Sequence, residues 1–151
     1  MSNEEIIDTL NDLIETCKDG EYGFEQSAEY TRDAELKTLF RQRADDCRRG
    51  LQELNALVSE CGGTPEDSGS VAGALHRGWV TLRQSISGNE DHAILAECER
   101  GEDVAKARYR KALEQNLPEP VRAVVQKQFE GVQRNHDQIK ALRDRYKNAA
   151  A

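Results

Sequence analysis

Proline is almost absent from this chain: three occur in 151 residues, at Pro65, Pro118 and Pro120. A proline inside a helix removes a backbone hydrogen bond and clashes with the preceding turn. Uninterrupted helices are therefore open to nearly the whole sequence, and the apolar residues follow that opening. Ile6, Leu10, Leu13, Cys17, Phe24 and Ala28 recur mostly at the three- and four-residue spacing of one helix face. Leu36, Phe40, Ala44, Cys47, Leu51, Leu54, Val58 and Cys61 make a second such stripe. A third runs through Leu95, Cys98, Glu102, Ala105, Tyr109 and Ala112, and a fourth through Val121, Val125, Gln128, Val132, His136, Ile139, Leu142 and Tyr146. No segment alternates in the two-residue period of a strand. The pattern predicts an all-α chain.

End signals divide the stripes. Ser2-Asn3-Glu4-Glu5 reads as a capping box, in which Ser2 and Glu5 satisfy each other's backbone amides. Thr31-Arg32-Asp33 offers a short turn and an N-cap, and Gly62-Gly63 a C-cap pair. Asn89 caps a third helix, with Glu90 and Asp91 placed well against its dipole, and Pro118 and Pro120 open a fourth. The expected domain is single, covering 1–151, with helices over 3–30, 33–62, 90–115 and 118–147. Between 63 and 89 the composition shifts to Gly, Ser and small residues around a short amphipathic segment. Ser70 caps that segment, and Val71, Leu75, Trp79, Leu82 and Ile86 share its face. A 28-residue helix is about 42 Å long, and this connection is long enough to travel it. The expectation is a four-helix bundle in which a crossover carrying a short helix makes the second and third helices parallel.

Composition narrows the function. Charged residues are 32% of the chain and the net charge is −7, the wrong sign for a phosphate backbone. No apolar run reaches membrane-spanning length, and the start, MSNEEIID, is acidic where an export signal would be basic then apolar. These features predict a cytoplasmic protein that binds neither nucleic acid nor membrane. Cys17, Cys47, Cys61 and Cys98 show no CxxC spacing and are expected to be reduced, with Cys17 and Cys47 as neighbours on adjacent helices. Residues 1–30 hold nine acids and one base, whereas 121–151 hold seven bases and three acids. That asymmetry suits a homodimer or another protein partner. Nucleotide-binding and nucleophile-elbow motifs are absent. His76 and His92 read as solvated, and Trp79 as an apolar anchor for the crossover.

Polar residues enter the stripes at one level. Counted from a turn near residue 32, Glu21 and Arg43 each lie about 11 residues down their helices. With the crossover topology, Glu99, Glu102 and His136 reach the same depth. Carboxylate-bridged di-metal bundles use a Glu from each of two helices and a Glu-x-x-His from each of the others. The helix order, the long crossover and the stretches CKDGEYGFEQ, SGSVAGALHRGW and AILAECERGED resemble an uncharacterised bacterial four-helix-bundle family of the ferritin-like superfamily, known as a domain of unknown function. The resemblance covers nearly the whole chain and implies the fold, not a chemistry.

Carried across residue by residue, the di-metal pattern survives only in part. Glu21, Glu99 or Glu102, and His136 match ligand positions, but Gln133 stands three before His136 where a Glu would be. The second helix reads Arg43-Ala44-Asp45-Asp46-Cys47, with neither ligand. Arg43 supplies a fixed positive charge at the vacated place. The resulting expectation is a non-enzymatic bundle, stress-related or scaffolding, without catalytic residues or a cofactor, whose Arg43 pairs with Glu21 and a third-helix glutamate. The alternative is a partial or mononuclear iron or zinc site among Glu21, Glu99, Glu102 and His136.

Overall fold

The computed structural model describes residues 1–64 and 91–150, with side chains through Lys147. Helix α1 spans Asn3–Tyr30 and starts on the expected box: the Glu5 amide donates to Ser2 Oγ at 3.2 Å, and the Ser2 amide to Glu5 Oε1 at 3.2 Å. Helix α2, Ala34–Glu60, is capped by Asp33, whose carboxylate accepts from the amides of Glu35 and Leu36 at 2.9 and 3.2 Å. It ends as the glycine pair predicts. Gly62 takes φ +88°, open to glycine at little cost, and the Gly63 amide donates back to the Val58 carbonyl at 2.9 Å.

Helix α3 covers Asp91–Leu113 and α4 covers Glu119–Ala150. The sharp corner between them is held by Arg122, whose guanidinium donates to the carbonyls of Leu113 and Gln115. These are orphan acceptors at the end of α3. The observed bounds differ from the expected ones by one to three residues at most ends, where helix termini fray.

Cross-helix contacts give each helix its direction. Thr9 meets Gln115, Thr16 meets Arg108, Ser27 meets Cys98 and Thr31 meets Asp91, so α3 runs antiparallel to α1. Helix α2 also runs antiparallel to α1, and α2 and α3 therefore begin at the same end. That is the crossover arrangement. The expected short helix at Ser70–Ile86, with His76, Trp79 and the Asn89 cap, lies outside the described residues. Helix α1 packs along both α2 and α3, and α4 lies along α3; α4 and α2 approach each other far less.

This square of helices encloses two apolar clusters rather than one. Ile6, Leu10, Leu13, Ile14, Leu54, Val58, Tyr109, Val121 and Val125 fill one end of the bundle. Phe24, Ala28, Leu36, Phe40, Ala44, Ile94, Leu95, Cys98 and Ile139 fill the other. Each large side chain buried here contributes about 1.5–3 kcal/mol. Between the two ends the interior turns polar.

Candidate functional site

A cavity of about 800 Å³ occupies that polar level, lined by all four helices. Its lining includes Arg49 and Gln52 of α2 and Lys127 and Arg134 of α4, all exposed, so it opens where those two helices stand apart. Glu102 of α3 lines it and is 5% exposed. Glu102 Oε1 has no hydrogen-bond partner among the described residues. Burial pushes this carboxyl up to about 8, against the lowering pull of the Arg43 charge.

Arg43 does not make the pairs its position suggests. Its guanidinium donates to Asp46 Oδ2 at 2.9 Å and to Gln138 Oε1 at 2.5 Å, while its Nε is buried with no hydrogen-bond partner among the described residues. Glu21 is held instead by Arg48, whose Nε donates to Oε1 at 3.2 Å and whose far nitrogens reach Glu25 and Asp45. Both arginines lie on α2, five residues apart, and the long guanidinium side chain nearer the α1 surface takes the carboxylate. The expected Arg43–Glu21 pair is thus corrected to Arg48–Glu21. Glu99, the other helix glutamate, is bound by Arg143 of α4 at 2.8 Å.

His136 is 8% exposed, and its Nε2 lies 2.7 Å from Asp103 Oδ1 and its Nδ1 3.2 Å from Asp137 Oδ1. Donor atoms of Glu99, Asp103 and His136 all fall within 4.8 Å of one another. Asp103 carried no role in the sequence reading, although it stands four residues after Glu99 and so shares its helix face. The structure therefore brings Glu99 and His136 together and adds Asp103. Glu102 turns away into the cavity, and Glu21 stays on the α1–α2 surface.

Such a distribution does not fit a di-metal group. Glu21 is occupied by Arg48, α2 presents Arg43 where ligands would stand, and Gln133 is exposed. The four-helix polar connection that does exist is of another kind. Cys17 Sγ lies 3.5 Å from the Tyr109 hydroxyl, which donates to Gln128 Oε1 at 2.8 Å. Gln128 Nε2 then donates to the Gly50 carbonyl at 3.2 Å and to Glu53 at 3.0 Å. One chain of hydrogen bonds thereby ties α1, α3, α4 and α2. Cys17, Tyr109 and Gln128 stand on the predicted stripes, whereas Gly50 and Glu53 lie off theirs, and the mutual reach of all five is not legible from spacing.

No helix among the described residues is long and apolar enough to cross a membrane. The fold is similar to that of a Dps1 mutant from Mycobacterium smegmatis, with a TM-score of 0.78 at 14% identity over 92% of this chain and 95% of that one. It is equally similar, with a TM-score of 0.78 at 13% identity, to a two-domain protein from Anabaena variabilis containing dj-1/thij/pfpi-like and ferritin-like domains. That match takes in 95% of this chain and 40% of the other. No curated protein matches the sequence. The all-α, ferritin-like four-helix bundle is thereby established at the level of fold. Residues 5–115 match the family described as Domain of unknown function (DUF2383), and the chain belongs to that family.

Proposed function

We propose that this ferritin-like bundle is a non-enzymatic protein whose interior polar level fixes helix register, leaving its outer surface to act as a scaffold. The observation that carries this reading is that the candidate carboxylates are met by protein groups or by burial. Glu21 meets Arg48, Glu99 meets Arg143 through one oxygen while its other is buried without a hydrogen-bond partner among the described residues, and Glu102 is held largely neutral by burial at neutral pH. Partly buried ion pairs add little net stability, but a wrong register would leave them unpaired. The acidic first helix and basic last helix are the surfaces through which a second copy or another protein would engage.

The second reading is a mononuclear zinc or iron site at Glu99, Asp103 and His136. It is favoured by three donor atoms within 4.8 Å of one another, of types both metals accept. Elemental analysis after purification, with zinc or ferrous iron supplied, separates the two. Less than about 0.1 metal per chain supports the structural reading. Near-stoichiometric metal that is lost in His136→Ala supports the second and overturns the first.

A further inference from the structure

The cavity between the two apolar clusters is used by neither reading. At about 800 Å³ it lies within the range of small-molecule sites. Its walls are mixed. Phe24, Val104 and Val132 supply apolar surface from three helices, while Glu102 and Arg43 supply polar atoms. Buried polar atoms nearly always find partners. Here Glu102 Oε1 and Arg43 Nε are both buried without one among the described residues, and both residues line the same space. Arg43 Nε can only donate, so it requires an acceptor. Five basic side chains line the cavity against four acids, Glu102 included, so the lining as a whole accommodates an acidic head group.

We propose that this cavity binds a small organic carboxylic acid with an apolar body, its head group hydrogen-bonded to Arg43 Nε and Glu102 and its body lying against Phe24, Val104 and Val132. A carboxylic head group satisfies both orphans together. One oxygen accepts from Arg43 Nε, and the other carries the acid's own proton and donates it to Glu102 Oε1. An alcohol of equal length must both accept from Arg43 Nε and donate to Glu102 through a single oxygen, and an amine brings a positive charge towards Arg43. Entry is through the opening between α2 and α4. Glu99, Asp103 and His136 are not among the residues that line the cavity.

Calorimetric titration of the full chain with decanoate, decanol and decylamine, each below its micellar concentration, tests the idea. Saturable binding of decanoate at one per chain is expected, at least about tenfold tighter than either analogue. Arg43→Lys keeps the charge but lacks Nε, and should weaken decanoate by about tenfold or more. Val104→Trp places an indole where the apolar body would lie and should weaken decanoate by about tenfold or more while circular dichroism stays helical. If Val104→Trp fails to fold, Val132→Phe replaces it. Absence of saturable decanoate binding, which would leave the cavity to water alone, overturns the proposal. So does equal binding of all three probes, or binding unchanged in Arg43→Lys and in the filling variant. Metal content is measured on the same samples, so failure here is separable from failure of the functional reading.

Discussion

Cys47 Sγ fills the space that a side chain at Gly20 would need: a Cβ built there would lie 2.8 Å from the sulfur. The relation is nearly reciprocal. Gly50, three residues after Cys47, faces Cys17 Sγ at 3.4 Å from its own would-be Cβ, and Cys17 stands three residues before Gly20. Two Cys-x-x-Gly segments, CKDG and CRRG, thus interlock where antiparallel α1 and α2 cross.

The two glycines should respond differently to alanine. Alanine is favoured over glycine inside a helix by about 1 kcal/mol. At Gly50 the contact is ordinary, so Gly50→Ala should be neutral or stabilising by up to about 1 kcal/mol. At Gly20 the clash outweighs that gain, and Gly20→Ala should destabilise by about 1–2 kcal/mol net. Combining it with Cys47→Ala should recover at least about 0.5 kcal/mol of coupling. Denaturant melts of the four variants read this directly, and equal stability of the two glycine variants would show that Cys47 rotates into the cavity without cost.

Glu102 should make the protein less stable as pH rises. Its folded-state carboxyl sits at about 8, above the ordinary value of 4.5, so folding takes up a proton between those values. Stability contributed by the neutral form is full below about 4.5 and falls steadily as pH approaches 8. Glu102→Gln removes the titrating group at constant shape. It should raise stability at pH 7 by on the order of 2–3 kcal/mol and flatten the dependence between pH 5 and 8. A variant with the slope of wild type would place the responsible group elsewhere.

Arg43 should then matter less near neutrality than an ionised neighbour would require. Below about pH 8 Glu102 does not need its charge, and Asp46 is also held by Arg49. Arg43→Ala should cost about 1 kcal/mol at pH 7, mainly the contacts to Asp46 and Gln138. The deficit should widen above pH 8, where Glu102 ionises in wild type with Arg43 beside it but is denied that partner in the variant. Melts at pH 7 and pH 9 give the comparison; a deficit larger at pH 7 would contradict it.

Native thiol titration should find one ready cysteine of the four. Burial raises Cys17 to about 11 and pushes Cys47 and Cys98 up as well, starving each of reactive thiolate. Cys61 sits partly exposed at the end of α2, whereas Cys47, also partly exposed, faces the cavity with its thiol pushed up by desolvation. Cys61 should label first, with the others reacting only on unfolding. Fast labelling of Cys17 or Cys47 would mean that the α1–α2 crossing is wrong.

Asp33 serves two helices at once. It caps α2 and accepts the Tyr146 hydroxyl of α4 at 2.6 Å, and these bonds hold its carboxyl below the usual range. Asp33→Ala should cost about 1–2 kcal/mol, whereas Asp33→Asn keeps most of the cap. The stabilisation is present above the ordinary aspartate range and is lost as pH falls through the lowered folded value. Amide exchange near Tyr146 should quicken in Asp33→Ala and serves as the check.

The direction of the third helix was readable because a long connection is wasted on a simple turn. The inward positions of Glu102 and His136 were readable because a helix face repeats every three to four residues. Pairing was not. An arginine side chain spans more than one helical turn, so stripe position alone does not separate Arg43 from Arg48 as the partner of Glu21. Asp103 was missed for a related reason: it is exposed and off the apolar stripe, and only the approach of α4 places His136 against it. The Tyr109–Gln128 link likewise depends on how closely two helices settle, which periodicity does not decide.

The split core has a kinetic consequence. Sequence divides the bundle lengthwise into two hairpins, α1–α2 and α3–α4, whereas the apolar clusters divide it crosswise into two ends. Each hairpin holds part of both clusters and the whole of neither. Local contacts let the hairpins zip early, yet each then presents two separate apolar patches along one face. Neither end can close before the halves meet. When they do, both ends close in the same event, so a destabilising change at either end should slow assembly only to the extent that its end leads the encounter.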